Sequence, residues 1–136
     1  MKSDYYKKIE KYLYNFYEHE SLVQEVRDYY ISRMNISKTA WLKGNNTMED
    51  QVVRMMDSKQ LNEIKRWLMF LKETLVFFEQ EKPRFYEFIC LKYFRKLTYE
   101  ELTTVMKLDK NQIKDLRSNV ISEIYTKAVK KSLIKL

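Results

Sequence analysis

The chain has 136 residues, of which 45% are hydrophobic and 15% aromatic, and it carries a formal net charge of +7. A single glycine and a single proline exclude β-sandwiches, β-barrels and doubly wound sheets, whose turns need residues that tolerate positive φ, while one cysteine and one histidine exclude a disulfide framework and a multi-cysteine zinc site. Since no apolar run approaches the roughly 18 residues of a membrane span and charged side chains occur throughout the N-terminal segment, we expect an all-helical, soluble, intracellular protein without a secretory signal or a membrane partner.

The first predicted element is one long or slightly broken helix over residues 4–34. The sequence Glu18-His19-Glu20 interrupts its apolar face, and Ser21 with Gln24 forms a capping-box pattern, so two helices in place of one remain an alternative. The apolar face, with steps of three and four residues, comprises Ile9, Leu13, Phe16, Val23, Val26, Tyr30 and Met34.

A polar stretch over residues 35–46 contains the one glycine and predicts a loop. Thr47 and Asp50 form a second capping-box pattern, which opens a central helix that reaches about Glu81. A helix of about 33 residues would be roughly 50 Å long, too long to bury its apolar face against a small domain alone. It therefore needs an antiparallel partner, which is either the N-terminal helix or a second subunit. We expect a helical stalk, and a homodimer if the partner is a second copy.

Capping signals divide the remainder of the chain into three helices. Pro83 is placed to be the first residue of a helix, Thr98 with Glu101 forms a third capping box, and Asp109 caps the last helix. The predicted helices cover residues 83–96, 98–106 and 110–131, and residues 132–136 are expected to fray.

Residues 99–118 have the packing pattern of a helix-turn-helix, in which a short helix, a tight turn and a second helix share apolar contacts. Lys107 occupies the position where the turn becomes left-handed and glycine is usual, at a cost of roughly 1 kcal/mol, and Thr103 occupies the position where alanine is usual. The five apolar positions that this geometry requires are all filled, by Leu102, Met106, Leu108, Ile113 and Leu116.

The second helix of this motif presents a polar face opposite its apolar one. Asn111 could pair with adenine and Lys114 could reach guanine O6 or N7. Lys110 and Arg117 are better placed for phosphates, which position a protein without specifying sequence. Asp115 could accept a hydrogen bond from cytosine N4, or it could only repel the backbone. The polar face comprises Asn111, Lys114, Asp115 and Ser118, flanked by Lys110 and Arg117.

The positive charge is confined to one part of the chain. Residues 1–81 contain 13 basic and 13 acidic side chains, whereas residues 82–136 contain 13 basic and 6 acidic ones. This asymmetry predicts a neutral helical stalk or interaction region over residues 1–81 and a basic, DNA-binding region over residues 82–136. Further lysines and an arginine would extend the basic surface: Lys92, Arg95, Lys96, Lys127, Lys130 and Lys131.

Three stretches resemble known regulators. Phe88–Leu102, with the sequence FICLKYFRKLTYEEL, resembles sigma-factor region 4; Ile9–Phe16 and Asn46–Gln51 resemble the N-terminal helix and the polar loop of the RinA and ArpU types of phage transcriptional regulator. The resemblance implies a cytoplasmic activator of late or virion-assembly genes in a bacterial host cell, with double-stranded DNA and RNA polymerase as partners. By position, it assigns the DNA contacts to Lys110, Asn111, Gln112, Lys114 and Asp115.

No catalytic constellation, cofactor motif or metal site is predicted, so we do not expect an enzyme. Glu18, His19 and Glu20 are consecutive and point in different directions on a helix, and Cys90 is expected to be a small core residue. Two other functions remain open. One is a helical adaptor or scaffold that binds RNA polymerase or another acidic protein, and the other is a phage DNA-packaging subunit, which would assemble into a large ring.

Overall fold

The computed structural model describes residues 2–35 and 58–135, and within these ranges all regular secondary structure is helical, as predicted. The Thr47–Asp50 capping pattern, the start of the central helix and all but the first residue of the predicted loop lie outside these ranges. None of the described helices is long and apolar enough to cross a membrane. The elements are α1 (Lys2–Tyr14), α2 (Phe16–Asn35), α3 (Ser58–Glu81), α4 (Pro83–Ile89), a π-helical turn (Cys90–Phe94), α5 (Tyr99–Met106) and α6 (Lys110–Lys130).

The N-terminal segment is a slightly broken helix whose break lies at Asn15. Backbone hydrogen bonds of helical spacing still bracket this residue, since its N–H donates to Lys11 O at 3.0 Å and its carbonyl accepts from His19 N at 2.8 Å. Helix α2 passes through Ser21 without interruption. Gln24 donates its side-chain amide to Asp28 at 2.8 Å. The alternative of a second helix that starts at Ser21 is therefore not found, and the interruption lies at Asn15.

Helices α1 and α3 both run antiparallel to α6. Along α1, Tyr6 packs on Tyr125 with ring centroids 5.6 Å apart. Glu10, which follows Tyr6 in α1, binds Arg117, which precedes Tyr125 in α6. Along α3, Glu73 lies 4.0 Å from Lys131, whereas Lys82, which follows this helix, lies 2.7 Å from Glu123. Helices α1 and α3 therefore run in the same direction. Helix α1 packs on α6, whereas α3 packs mainly on α2 and α4 and touches α6 through side chains near its C-terminal end. The N-terminal helices lie beside α3 in parallel, as the Tyr12–Trp67 and Glu20–Lys72 contacts show, and do not form the antiparallel pair predicted within one chain.

A hydrophobic core links the elements of both predicted regions. Its largest fully buried side chains include Trp67 of α3, Phe88 of α4 and Tyr93 of the π-helical turn. Tyr12 of α1 stacks on Trp67, with ring centroids 4.9 Å apart and planes 8° from parallel. The proposed division at residue 81 therefore does not separate two cores, because α1 and α6 bury side chains in the same cluster.

Local capping places α5 and α6 as predicted. The side-chain oxygen of Thr98 accepts from Glu101 N at 3.2 Å, and that of Asp109 accepts from Gln112 N at 2.8 Å. In return, the Glu101 and Gln112 side chains accept from the backbone N–H groups of Thr98 and Asp109, which completes two capping boxes. Lys107, between the helices, is left-handed at φ 57° and ψ 43°. Of the five predicted apolar positions, four are buried and Leu108 is partly buried.

The end of the described chain is folded onto the core. Ile134 is only 3% exposed, and Leu133 N donates to Ala128 O at 3.0 Å. Tyr5 of α1 donates its hydroxyl to Lys135 O at 3.3 Å. The prediction that residues 132–136 fray is therefore wrong for the described residues 132–135, because the left-handed Ser132, at φ 61°, turns the chain and brings Leu133 and Ile134 onto the core.

Candidate nucleic-acid interface

The first turns of α6 carry an exposed polar face directly opposite the core. Ile113 and Leu116 are buried against the rest of the fold, and their burial determines which face of the helix points to solvent. Gln112 is exposed as well, but its side-chain oxygen accepts from Asp109 N at 3.0 Å and so belongs to the cap. The exposed side chains of the predicted site are Lys110, Asn111, Lys114, Asp115 and Ser118.

Cations gather around the turn that precedes α6. Lys110 and Lys114 have no ion-pair partner among residues 2–35 and 58–135, and the first turn of α6 contains no acidic residue. Arg84 of α4 donates to the carbonyl of Met106 at 3.4 Å and so brings a further cation beside Lys107. The Asp109 carboxylate, which caps α6, offsets the positive end of the helix dipole, so the attraction for anions comes from these side-chain cations.

Arg117 differs from the other predicted site residues because its guanidinium faces α1. Its Nε donates to Glu10 Oε2 at 3.0 Å, and Nη2 makes a second, shorter hydrogen bond to Glu10 Oε1. Tyr93 also donates its hydroxyl to Glu10 Oε2, at 2.7 Å. The guanidinium predicted to contact a phosphate is thus engaged within the chain. Glu10 and Tyr93 were not predicted as partners, since nothing in their local sequence indicates a contact so distant along the chain.

The pKa values of this cluster follow from its geometry. Burial of the Glu10 carboxyl opposes ionisation, but the hydrogen bonds from Arg117 and Tyr93 outweigh it and lower the pKa of Glu10. Burial and the bond to Glu10 raise the pKa of Tyr93, and the same carboxylate raises the pKa of Arg117. The cluster is therefore a charged carboxylate held by a guanidinium and a neutral phenol at neutral pH.

Lys92 is part of the core and not of the basic surface on which it was predicted. It is only 7% exposed, and its ammonium donates to the Tyr14 hydroxyl at 2.9 Å. The same ammonium lies 5.3 Å from the ring centroid of Tyr93 and 4.6 Å from that of Tyr99. The π-helical turn accounts for this position, because its wider spacing, with Arg95 N bonded to Cys90 O at 2.9 Å, changes which side chains face inward.

Most of the excess positive charge lies away from the exposed face of α6. Residues 99–118 contain four basic and four acidic side chains, so this segment has no net charge. Elsewhere, Lys82 pairs with Glu123 at 2.7 Å and Lys96 lies 3.5 Å from Glu18. The net charge of +7 therefore does not by itself indicate that the exposed face of α6 is strongly basic.

Among the described residues, the His19 and Cys90 side chains form no second reactive site. Burial lowers the pKa of His19 and raises the pKa of the half-buried Cys90 thiol, so the cysteine is poorly suited to act as a nucleophile. No group of three or more histidine, cysteine, aspartate or glutamate residues in the described part of the chain is arranged to hold a metal ion.

No protein family, curated protein or solved structure matches this chain. The geometry of α5, the Lys107 turn and α6 and the short sequence resemblances are therefore what indicate a function. Of the seven residues predicted to contact DNA, five have exposed side chains that take no part in the helix cap or the Glu10 ion pair, namely Lys110, Asn111, Lys114, Asp115 and Ser118.

Proposed function

We propose that the protein is a sequence-specific DNA-binding transcriptional regulator and that α5, the Lys107 turn and α6 act as a helix-turn-helix. The observation that carries this proposal is the division of α6 into two faces at its N-terminal end. One face is locked onto α5 by buried apolar side chains, while the other presents lysine and amide side chains to solvent. A helix docked in this way can enter a major groove with its first turns leading.

The exposed residues divide by what they could contact. Asn111 and Lys114 lie where a helix in the major groove meets base edges, and they would read adenine and guanine respectively. Lys107, Lys110 and Arg84 surround the entrance of the helix and would bind phosphates, which fix the register. Arg117 is omitted from this set because Glu10 holds it. Resemblance to sigma-factor region 4 and to the RinA and ArpU regulators supports a promoter-bound activator of phage or prophage late genes.

The proposal is tested by selecting binding sites from a library of random duplex DNA at about 0.1 M salt. A folded protein that enriches a motif is a specific DNA binder, and two half-sites in that motif would add that it acts as a dimer. A variant with both Lys110 and Lys114 changed to alanine should enrich nothing. Lys65→Ala, which removes an exposed lysine from α3, serves as the matched control and should enrich the same motif. Absence of any enriched motif with folded wild-type protein would refute specific binding by the chain alone.

Salt dependence supplies an independent test. Three phosphate contacts, by Arg84, Lys107 and Lys110, give an expected slope of about −3 for the logarithm of the affinity against the logarithm of salt concentration. A slope near zero would instead favour the adaptor function, in which the helices bind a protein. Light scattering distinguishes the packaging function, since a large ring would appear in place of a monomer or dimer.

A further inference from the structure

A second basic surface lies at the opposite end of α6 from the proposed DNA-reading face. A cleft of about 240 Å³ separates α3 from the last turns of α6, and we refer to it as the basic cleft. Its walls include two aromatic side chains, one acidic side chain and three lysines: Phe70, Phe77, Glu73, Lys127, Lys130 and Lys131.

The lysines of the basic cleft are only weakly neutralised. Lys131 lies 4.0 Å from Glu73, and both side chains remain about two-thirds exposed, at 65% and 66%. An ion pair this long and this exposed is worth little, because water screens both charges. Lys130 has no ion-pair partner in the described ranges. The cleft therefore presents three cations against one carboxylate.

The cleft also exposes apolar surface beside these cations. Phe77 is 37% exposed, and the Lys127 ammonium lies 3.8 Å from its ring centroid. Phe70, which is only 6% exposed, forms the buried floor. Lysine charge at the end of a helix is explained by the helix dipole, but an aromatic ring that stays partly exposed beside it, with one face covered by a lysine, is not. Exposed aromatic surface next to unmatched charge is instead typical of protein interfaces.

We propose that the basic cleft docks an acidic segment of a partner protein, with one apolar side chain of that segment packed against Phe77. Carboxylates would bind Lys127, Lys130 and Lys131, and the apolar side chain would cover the ring. Duplex DNA matches only half of this surface, because a phosphate backbone offers the lysines their counter-charge but presents no apolar group to Phe77. Charge and apolar contact together therefore favour an acidic protein segment over a nucleic acid.

The position of the cleft allows the partner and DNA to bind together. Lys127 follows Lys110 by 17 residues in α6, which corresponds to about 26 Å at 1.5 Å rise per residue. This separation exceeds the Debye length of about 8 Å at physiological ionic strength, so charge at one end of α6 is largely screened from the other. The inference does not depend on DNA binding and extends beyond the proposed function.

The test uses the full chain and a short fluorescent peptide of alternating glutamate and leucine as the probe, with binding followed by anisotropy. We expect saturable binding that weakens about tenfold or more when Lys127, Lys130 and Lys131 are all changed to glutamine, since three ion pairs are lost. Phe77→Ser should also weaken it. The matched control changes Lys59 and Lys65, two exposed lysines near the start of α3, to glutamine and should bind the peptide as the wild type does.

Three results would overturn the proposal. One is equal weakening by the control variant, and another is equal binding of a peptide in which serine replaces leucine, because both would indicate general charge attraction. The third is displacement of the peptide by non-specific duplex DNA through the same three lysines, which would make the cleft a nucleic-acid surface. Circular dichroism verifies that each variant is folded. The cleft variants should still select the DNA motif of the wild type, so failure of docking and failure of DNA recognition are separable.

Discussion

Glu10 and Arg117 form a doubly hydrogen-bonded ion pair that joins α1 to the middle of α6 across 107 positions of sequence. Tyr93 of the π-helical turn completes the pair by donating to the same carboxylate. Three elements that are distant in the chain therefore meet at one acidic side chain. Because Arg117 lies three residues after Lys114 and six after Asn111, within two turns of both, this pair also anchors the helix that carries them.

Removing the Glu10 carboxylate should destabilise the fold. We expect Glu10→Gln to lower the free energy of unfolding by about 1–3 kcal/mol at pH 7, because it leaves the partly buried Arg117 guanidinium without its counter-charge. In a double-mutant cycle with Arg117→Met, the second change should cost much less in the Glu10→Gln background than alone. Urea denaturation of the four proteins measures this coupling. Additive effects of the two substitutions would show that the pair contributes nothing as a pair.

The same carboxyl group should make stability depend on pH in the acid range. The pKa of Glu10 in the folded protein is lowered from 4.5, so the unfolded chain binds the proton more readily than the folded one. Its contribution is therefore fully present above about pH 4.5 and is lost as the pH falls through the lowered folded value. Urea midpoints between pH 3 and pH 7 should fall less steeply for Glu10→Gln than for the wild type. Parallel curves would assign the acid loss to other carboxylates.

Lys107 should be a site where glycine stabilises the protein. Its left-handed backbone costs a residue with a Cβ roughly 1 kcal/mol that glycine does not incur. Lys107→Ala removes the charge and keeps the Cβ, so it is the matched control. We expect Lys107→Gly to be about 1 kcal/mol more stable than Lys107→Ala in thermal or urea denaturation. Equal stabilities would mean that the turn relaxes out of the left-handed region.

The two lysines of the proposed DNA-reading face should differ in their effects. Lys114→Ala should reduce discrimination between the selected motif and a mismatched site by about 1–3 kcal/mol, because a base contact is lost. Lys110→Ala should weaken binding to both duplexes alike and make the salt slope shallower by about 1. Fluorescence anisotropy at several salt concentrations measures both effects. Undiminished discrimination by Lys114→Ala would remove this residue from the base-reading set.

The parts of the fold that the sequence predicts well are those with local causes. Pro83 begins α4, and the capping boxes at Thr98 and Asp109 open α5 and α6, because each involves residues only a few positions apart. The left-handed Lys107 belongs to the same class, since the spacing of the surrounding apolar residues demands a tight turn. The exposed face of α6 follows in turn from its helical periodicity.

The parts that it predicts poorly involve distant partners. The apolar faces of α1 and α3 are visible in the sequence, but periodicity does not identify the helices that they pack against, which are α6 for α1 and mainly α2 and α4 for α3. The inward position of Lys92 depends on the π-helical turn, whose extra residue per turn leaves no signal in hydrophobic spacing. Arg117 looks like any exposed helical arginine until Glu10 is placed beside it.

The antiparallel packing of α1 on α6 has a consequence for the order in which the protein can mature on the ribosome. Glu10 is translated 107 residues before Arg117, which at 5–20 residues per second is a delay on the order of 5–20 s. During that time the apolar face of α1 has emerged while α6, which covers part of it, has not been made. The nascent chain therefore carries an uncovered helical surface until synthesis is well advanced, and a chaperone that recognises such surfaces would meet this protein at its N-terminal helix.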